Sequence, residues 1–155
     1  MASKWASDRV DLPSLFSDLV RCETRLYNAL NDCLRERHGI VTSQFEFLSY
    51  LRGHPEARVA DIAAEFAIGI GATSKGADRL ESRGWVVRQP NPADRRSSLL
   101  ALTEAGAELV DAASVTFEER LAELLAGASS LPTVARVLSG LRCALERDQI
   151  GTPTG

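Results

Sequence analysis

Between Lys75 and Arg96 the chain carries six basic side chains, Lys75, Arg79, Arg83, Arg88, Arg95 and Arg96, against three acidic ones, Asp78, Glu81 and Asp94. The local balance is +3 in a chain whose formal net charge is -3. Arginines in such a run offer forked donors that fit phosphate oxygens and base edges, so the chemistry on offer is the binding of a polyanion. From Glu104 to Glu123 the sign reverses, with six acidic residues against Arg120 alone, a local balance of -5. A chain acidic overall but basic over one segment attracts a polyanion there and repels it elsewhere, which orients the docking. A basic run by itself is most often a solvated helix face, so its surroundings decide the matter.

Other chemistries find little support. Cys22, Cys33 and Cys143 are odd in number and widely spaced, and only His38 and His54 could add nitrogen ligands. Neither a disulfide framework nor a metal site is expected, and no cofactor. Cys22 and Cys33 fall on an apolar helical stripe and read as inert core thiols rather than redox switches. His38 and His54 sit at helix ends, where a histidine caps or faces solvent. No nucleophile motif such as GxSxG occurs, and the chain is not expected to be an enzyme.

Stepping from these residues to the frame that must hold them, 155 residues with 45% hydrophobic and 25% charged content suit one globular domain over 1–155. No apolar run is long enough to cross a bilayer, and the opening MASKWASDRVDLPS has no secretory stretch. A cytoplasmic protein without membrane partners is expected.

Leu12, Leu15, Phe16, Leu19, Cys22, Leu26, Leu30, Cys33 and Leu34 recur at three- and four-residue intervals, which predicts a helix capped by Asp11, tolerant of Pro13 and ended by Gly39. Ser43 and Glu46 make a capping box for a short second helix that stops at Gly53 and Pro55. Arg58 and Val59 suit a short edge strand. Asp61–Phe66 then reads as a two-turn helix, and after a small-residue turn Ile70–Arg83 reads as another. That helix buries Ala77, Leu80 and Thr73 and turns Lys75, Arg79 and Arg83 outward, with Gly84 at its stop. Trp85–Gln89 and Ser98–Leu102 are β-prone stretches joined by an exposed loop, a hairpin with a charged tip. Thr103 caps a long helix running to Gly127, and Ser130 and Pro132 open a last one bearing Val134, Val137, Leu138, Leu141 and Leu145. From Gly151 the tail is expected to be disordered.

Two short helices joined by a small turn, the second running straight into a charged hairpin, form a winged helix-turn-helix unit. A major groove admits one helix, and an arginine-rich loop beside it can enter the electronegative minor groove.

The run Asp78-Arg-Leu-Glu-Ser-Arg-Gly84, then Asn91-Pro-Ala-Asp-Arg-Arg96, then Leu102-Thr-Glu-Ala-Gly106 resembles the signature of the multiple antibiotic resistance regulator (MarR) family. There a DRLE-type helix runs into a wing with DRR and then LTxxG. The helix order agrees in outline over residues 12 to 148. The resemblance implies a mainly α fold with a minor β part: dimerisation helices over 12–38 and 103–148 flanking a winged helix-turn-helix lobe over 43–102.

It further implies a ligand-responsive, repressor-type regulator of double-stranded DNA, acting as a homodimer on a palindromic operator. Thr73, Ser74, Lys75 and Arg79 would face the major groove and phosphates, with Arg88 on a phosphate. Arg95 or Arg96 would enter the minor groove, braced by Asp94. Relatives bind small aromatic, often anionic effectors between the dimerisation helices and the DNA-binding lobe, a use open to Arg21 and Arg25, which also suit surface pairs with Asp18 or Glu23. Some relatives sense oxidants through a first-helix cysteine.

One departure stands out. Where many relatives have a Ser-Arg pair at the start of the reading helix, this chain has Gly69-Ile70, with Gly71 and Gly76 further on. Each such glycine weakens helix propensity by about 1 kcal/mol relative to Ala, so the helix is looser or its backbone comes closer to DNA. The apolar stripes of the first and last two helices exceed what a small winged unit can cover, and a two-fold interface would bury them. The other readings are a winged-helix adaptor that has lost DNA binding, and a metal-sensing regulator of similar fold, for which the ligands are sparse.

Overall fold

The computed structural model describes residues 10–153. Within them the order is α1 (Leu12–His38), α2 (Thr42–Gly53), β1 (Ala57–Arg58), α3 (Val59–Phe66), α4 (Ile70–Ser82), β2 (Val86–Pro90), β3 (Ser98–Leu102), α5 (Glu104–Leu125) and α6 (Leu131–Arg147). This is the mainly α, winged-helix arrangement expected. The opening residues 1–9 and the tail residues 154 and 155 lie outside the described residues. Among those described, no helix is long and apolar enough to cross a membrane.

The start of α1 is held by Asp11, whose carboxylate accepts the Ser14 N–H at 3.5 Å and hydroxyl at 2.6 Å. Pro13 costs nothing there because first-turn N–H groups have no helical partner. The chain leaves α1 through Gly39 in the left-handed region, φ 67°, its N–H bonded to the Arg35 carbonyl.

At α2 the expected capping box is corrected. The helix begins two residues earlier, at Thr42, with Val41 rather than Ser43 as N-cap. The Val41 N–H donates to the Gln44 side chain at 3.0 Å, and the Thr42 N–H donates to Asn31 Oδ1 on α1 at 2.7 Å. A tertiary partner thus satisfies an end that a local box would otherwise have served, leaving Ser43 exposed inside the first turn.

The edge strand is Ala57–Arg58, and Val59 already belongs to α3 because Asp61 Oδ2 accepts the Arg58 N–H at 2.8 Å and closes that helix's first turn. The sheet has strand order β1-β3-β2 and is antiparallel throughout, with Ala57 opposite Leu100 and Val86 opposite Leu102.

The core forms where α1 to α5 and the sheet meet: Leu34, Ile40, Leu48, Ile62, Leu80, Val86, Leu100 and Val110 are buried there. Phe45 stacks on Phe117 of α5 at 4.6 Å between ring centroids. Each buried Leu contributes roughly 1.5–3 kcal/mol of transfer free energy, so this cluster anchors the reading helix and the hairpin to one base.

His38 is a correction. It neither caps nor simply faces solvent: its Nε2 lies 2.8 Å from Thr116 Oγ1, joining α1 to α5. His54 does sit at its helix end, stacked on Tyr50 with ring centroids 4.1 Å apart. Cys22 is exposed and Cys33 half-buried in this chain, so neither is a core thiol of the single chain. α6 contributes no buried residue at all, and Phe16 of α1 and Val137 of α6 are 68% and 58% exposed.

Candidate nucleic-acid interface

The reading helix is fixed from below by Thr73, Ala77 and Leu80. Thr73 has no solvent exposure, and its hydroxyl donates to the Gly69 carbonyl at 2.9 Å. The expectation that Thr73 faces the groove is therefore corrected. Its side chain is spent on tying down the first turn, as its place on the buried stripe with Ala77 and Leu80 requires.

Ser74 is partly exposed, and Lys75 and Arg79 are fully on the outer face. Gly76 faces inward: a Cβ there would lie 2.9 Å from Phe47 Cε2, so the missing side chain lets Phe47 pack directly on α4. Gly71 by contrast looks onto open space. The two glycines of the helix thus serve different ends.

Arg88, on β2, reaches back to α4. Its Nε donates to Glu81 at 3.0 Å, and its terminal amine pairs with Asp78. A guanidinium engaged by two carboxylates has little charge left for a phosphate, so Arg88 positions the wing against the helix. Arg83 is exposed, as its place in the helix predicts, and its guanidinium lies over the Trp85 ring at 4.3 Å.

The wing loop is built by its own polar side chains. Asn91 Oδ1 accepts the Ala93 N–H at 3.0 Å, and Asn91 Nδ2 donates to Ser97 Oγ at 2.8 Å. Asp94 Oδ1 accepts the Arg96 backbone N–H at 2.9 Å. Asp94 thus shapes the turn under Arg96 through the main chain, not through its guanidinium. Among the described residues Lys75, Arg79, Arg95 and Arg96 form no ion pair, so four cations of this unit stay available.

The hairpin's base is locked by Thr103 and Gly106. The Thr103 hydroxyl donates to the Gly84 carbonyl at 2.7 Å and accepts the Gly106 N–H at 3.0 Å, while the Thr103 N–H donates to the Trp85 carbonyl. A Cβ on Gly106 would sit 2.0 Å from that carbonyl oxygen. The Leu102-Thr-Glu-Ala-Gly106 motif is therefore a splice between wing and α5 that only glycine can complete.

Arg58 was not singled out by sequence reasoning. It pairs with Asp61 at 2.8 Å at the base of β1, holding the Asp61 carboxyl below the usual range. Its strand-like surroundings in the sequence gave no hint of that role. Arg21 and Arg25 are exposed on α1. Between α1 and α2 the half-buried Glu46 accepts the Tyr27 hydroxyl at 3.5 Å, and burial raises its pKa, the Tyr27 hydrogen bond offsetting part of that and Glu23 adding to it.

Residues 38–97, which hold α2 to the wing loop, match the model of the MarR family. The HTH-type transcriptional repressor NicR of Pseudomonas putida is 32% identical over 111 residues, 71% of this chain and 69% of NicR. This chain belongs to the MarR family. The multiple antibiotic resistance protein MarR of Escherichia coli is 33% identical over 72 residues, 46% of this chain and 50% of that protein. This chain spans 50% to 60% of the length of several curated relatives it matches. Among solved structures, a mutant E. coli MarR complexed with operator DNA superposes with a TM-score of 0.75 at 25% identity, covering 87% of this chain and 99% of that one. MarR-family proteins are transcription regulators, and the winged-helix fold of this member is the one they share.

Proposed function

We propose that this MarR-family chain is a sequence-specific, DNA-binding transcription regulator, a repressor in type, that acts in the cytoplasm as a homodimer on a palindromic operator and is no enzyme. The observation that carries this reading is the set of unpaired cations on one helix–hairpin unit: Lys75 and Arg79 on the outer face of α4, Arg95 and Arg96 at the wing tip. On this reading Lys75 and Arg79 hold phosphates, Ser74 and the first turn of α4 meet base edges, and a wing arginine enters the minor groove over the Asp94 turn. Arg88 and Asp78 keep helix and wing at a fixed angle.

Dimerisation is supported by the apolar residues left open on α1 and α6: Leu12, Leu15, Phe16 and Leu19 on one, Val134, Val137, Leu138, Leu141 and Leu145 on the other. An isologous pair would cover them and set two reading helices about one DNA turn apart. A small aromatic or anionic effector near Arg21 and Arg25 completes the reading.

The test is fluorescence anisotropy with DNA from the regulatory region beside the protein's own gene, over a range of salt. Binding should be specific, saturate at two chains per site and weaken with a log–log slope of about -0.9 per phosphate contact. Equal affinity for scrambled DNA would overturn it.

A further inference from the structure

We infer that Ile70 reads the C5-methyl group of a thymine in each operator half-site, an inference that rests on the DNA-binding reading above and names part of its specificity. Ile70 is 57% exposed on the first turn of α4. Most other exposed large apolar residues lie on α1 and α6, with Val115 on α5. Between α2 and β3, among the described residues, only Ile70 and Val87 stand open in this way. At the first turn of α4 this aliphatic side chain stands in water at the end of the helix that would enter a groove.

Its surroundings narrow what it meets there. Gly69 and Gly71 flank it, and a Cβ on either would meet nothing within 4 Å. Ala72 beyond is exposed and short. Ile70 therefore projects from a bare stretch of backbone, free to approach a groove floor closely. Ser74 lies one turn on, at i+4 on the same flank, and Lys75 beside it supplies charge for the backbone.

The residues at the start of a reading helix are those that reach base edges. Among the groups that bases present in the major groove the thymine C5-methyl is the bulky apolar one, and it is the partner that apolar side chains contact. An isoleucine where a polar side chain would have sought a purine edge thus shifts preference at this position toward thymine. The weakened helix propensity at Gly71, whose missing side chain opens onto solvent, is the cost of the close approach.

Burying one methyl group gives about fourfold in affinity. With the operator half-site defined by selection from a random pool, each thymine is replaced in turn by uracil, which lacks only that methyl. Affinity of the full chain is measured for the wild type and for Ile70→Ala, with thermal unfolding confirming that this exposed substitution leaves the fold intact. One thymine per half-site should lose about fourfold on conversion to uracil with the wild type and nothing with Ile70→Ala. Indifference of the wild type to every uracil, or an unchanged loss in Ile70→Ala, overturns the inference while leaving specific DNA binding standing. A selection that yields no preferred site overturns both.

Discussion

Arg88 on the first wing strand donates from Nε to the Glu81 carboxylate on α4 at 3.0 Å, and this contact, with its companion to Asp78, ties the hairpin to the reading helix. A free phosphate-binding arginine and a bracing arginine predict different salt behaviour. Arg88→Ala should weaken operator binding about tenfold while leaving the slope of log affinity against log salt unchanged. Arg95→Ala with Arg96→Ala should weaken binding and flatten that slope by roughly 1 per lost contact. A flattened slope in Arg88→Ala would return Arg88 to the phosphate-contacting set.

Gly106 touches the Trp85 carbonyl so closely that no other residue fits without moving the wing. Gly106→Ala should destabilise the protein by about 3 kcal/mol, the upper part of the range for overpacking, despite alanine's better helix propensity. Denaturant unfolding of the purified variant measures this. A stability equal to wild type would mean that α5 shifts freely against the hairpin.

The two helix glycines should part company. Gly71→Ala, open to solvent, should stabilise by about 0.5–1 kcal/mol, whereas Gly76→Ala must displace the Phe47 ring, itself stacked on Phe66, and should gain less or lose. Paired thermal melts of the two variants decide, and equal gains would show that Phe47 yields without cost.

Glu46 gives a pH signature. Burial raises its pKa above the ordinary glutamate value of 4.5, so the folded state binds more protons than the unfolded state above that value, and this group's contribution to stability falls as pH rises through the window that begins there. Glu46→Gln should therefore be more stable than wild type at pH 7, with the difference closing below about pH 4.5. A gap that persists at low pH would assign the effect to packing with Tyr27 instead.

The apolar face of α6 predicts the assembly state. Leu141→Asp, at an exposed position that the single chain does not need, should turn a dimer into a monomer in sedimentation velocity at micromolar concentration while the winged unit keeps its fold. An undisturbed dimer would move the interface elsewhere.

Much of this molecule could be read from its residues. The caps at Asp11 and Thr103, the left-handed stops at Gly39 and Gly84 and the two hairpin strands follow from local chemistry, and local chemistry is what a sequence displays. What escaped depends on partners distant in the chain. Ser43 and Glu46 have the form of a capping box, but Asn31 arrives from another helix to serve the same end. Arg88 counts as a free cation until the hairpin folds it onto Asp78 and Glu81. Thr73 shows both possibilities at once: its spacing places it inward and its residue type suggests contact with DNA, and the spacing prevails because Ala77 and Leu80 fix the helix's rotation.

Leu131–Arg147 sets no side chain of its own into the interior. A segment of this kind borrows its order from whatever lies against it, so its persistence should track how many copies of the chain are present. Dilution would fray it first, exposing leucines to proteases and to unrelated sticky surfaces. On the proposed pairing, the helix would lose its support below the concentration at which two copies meet.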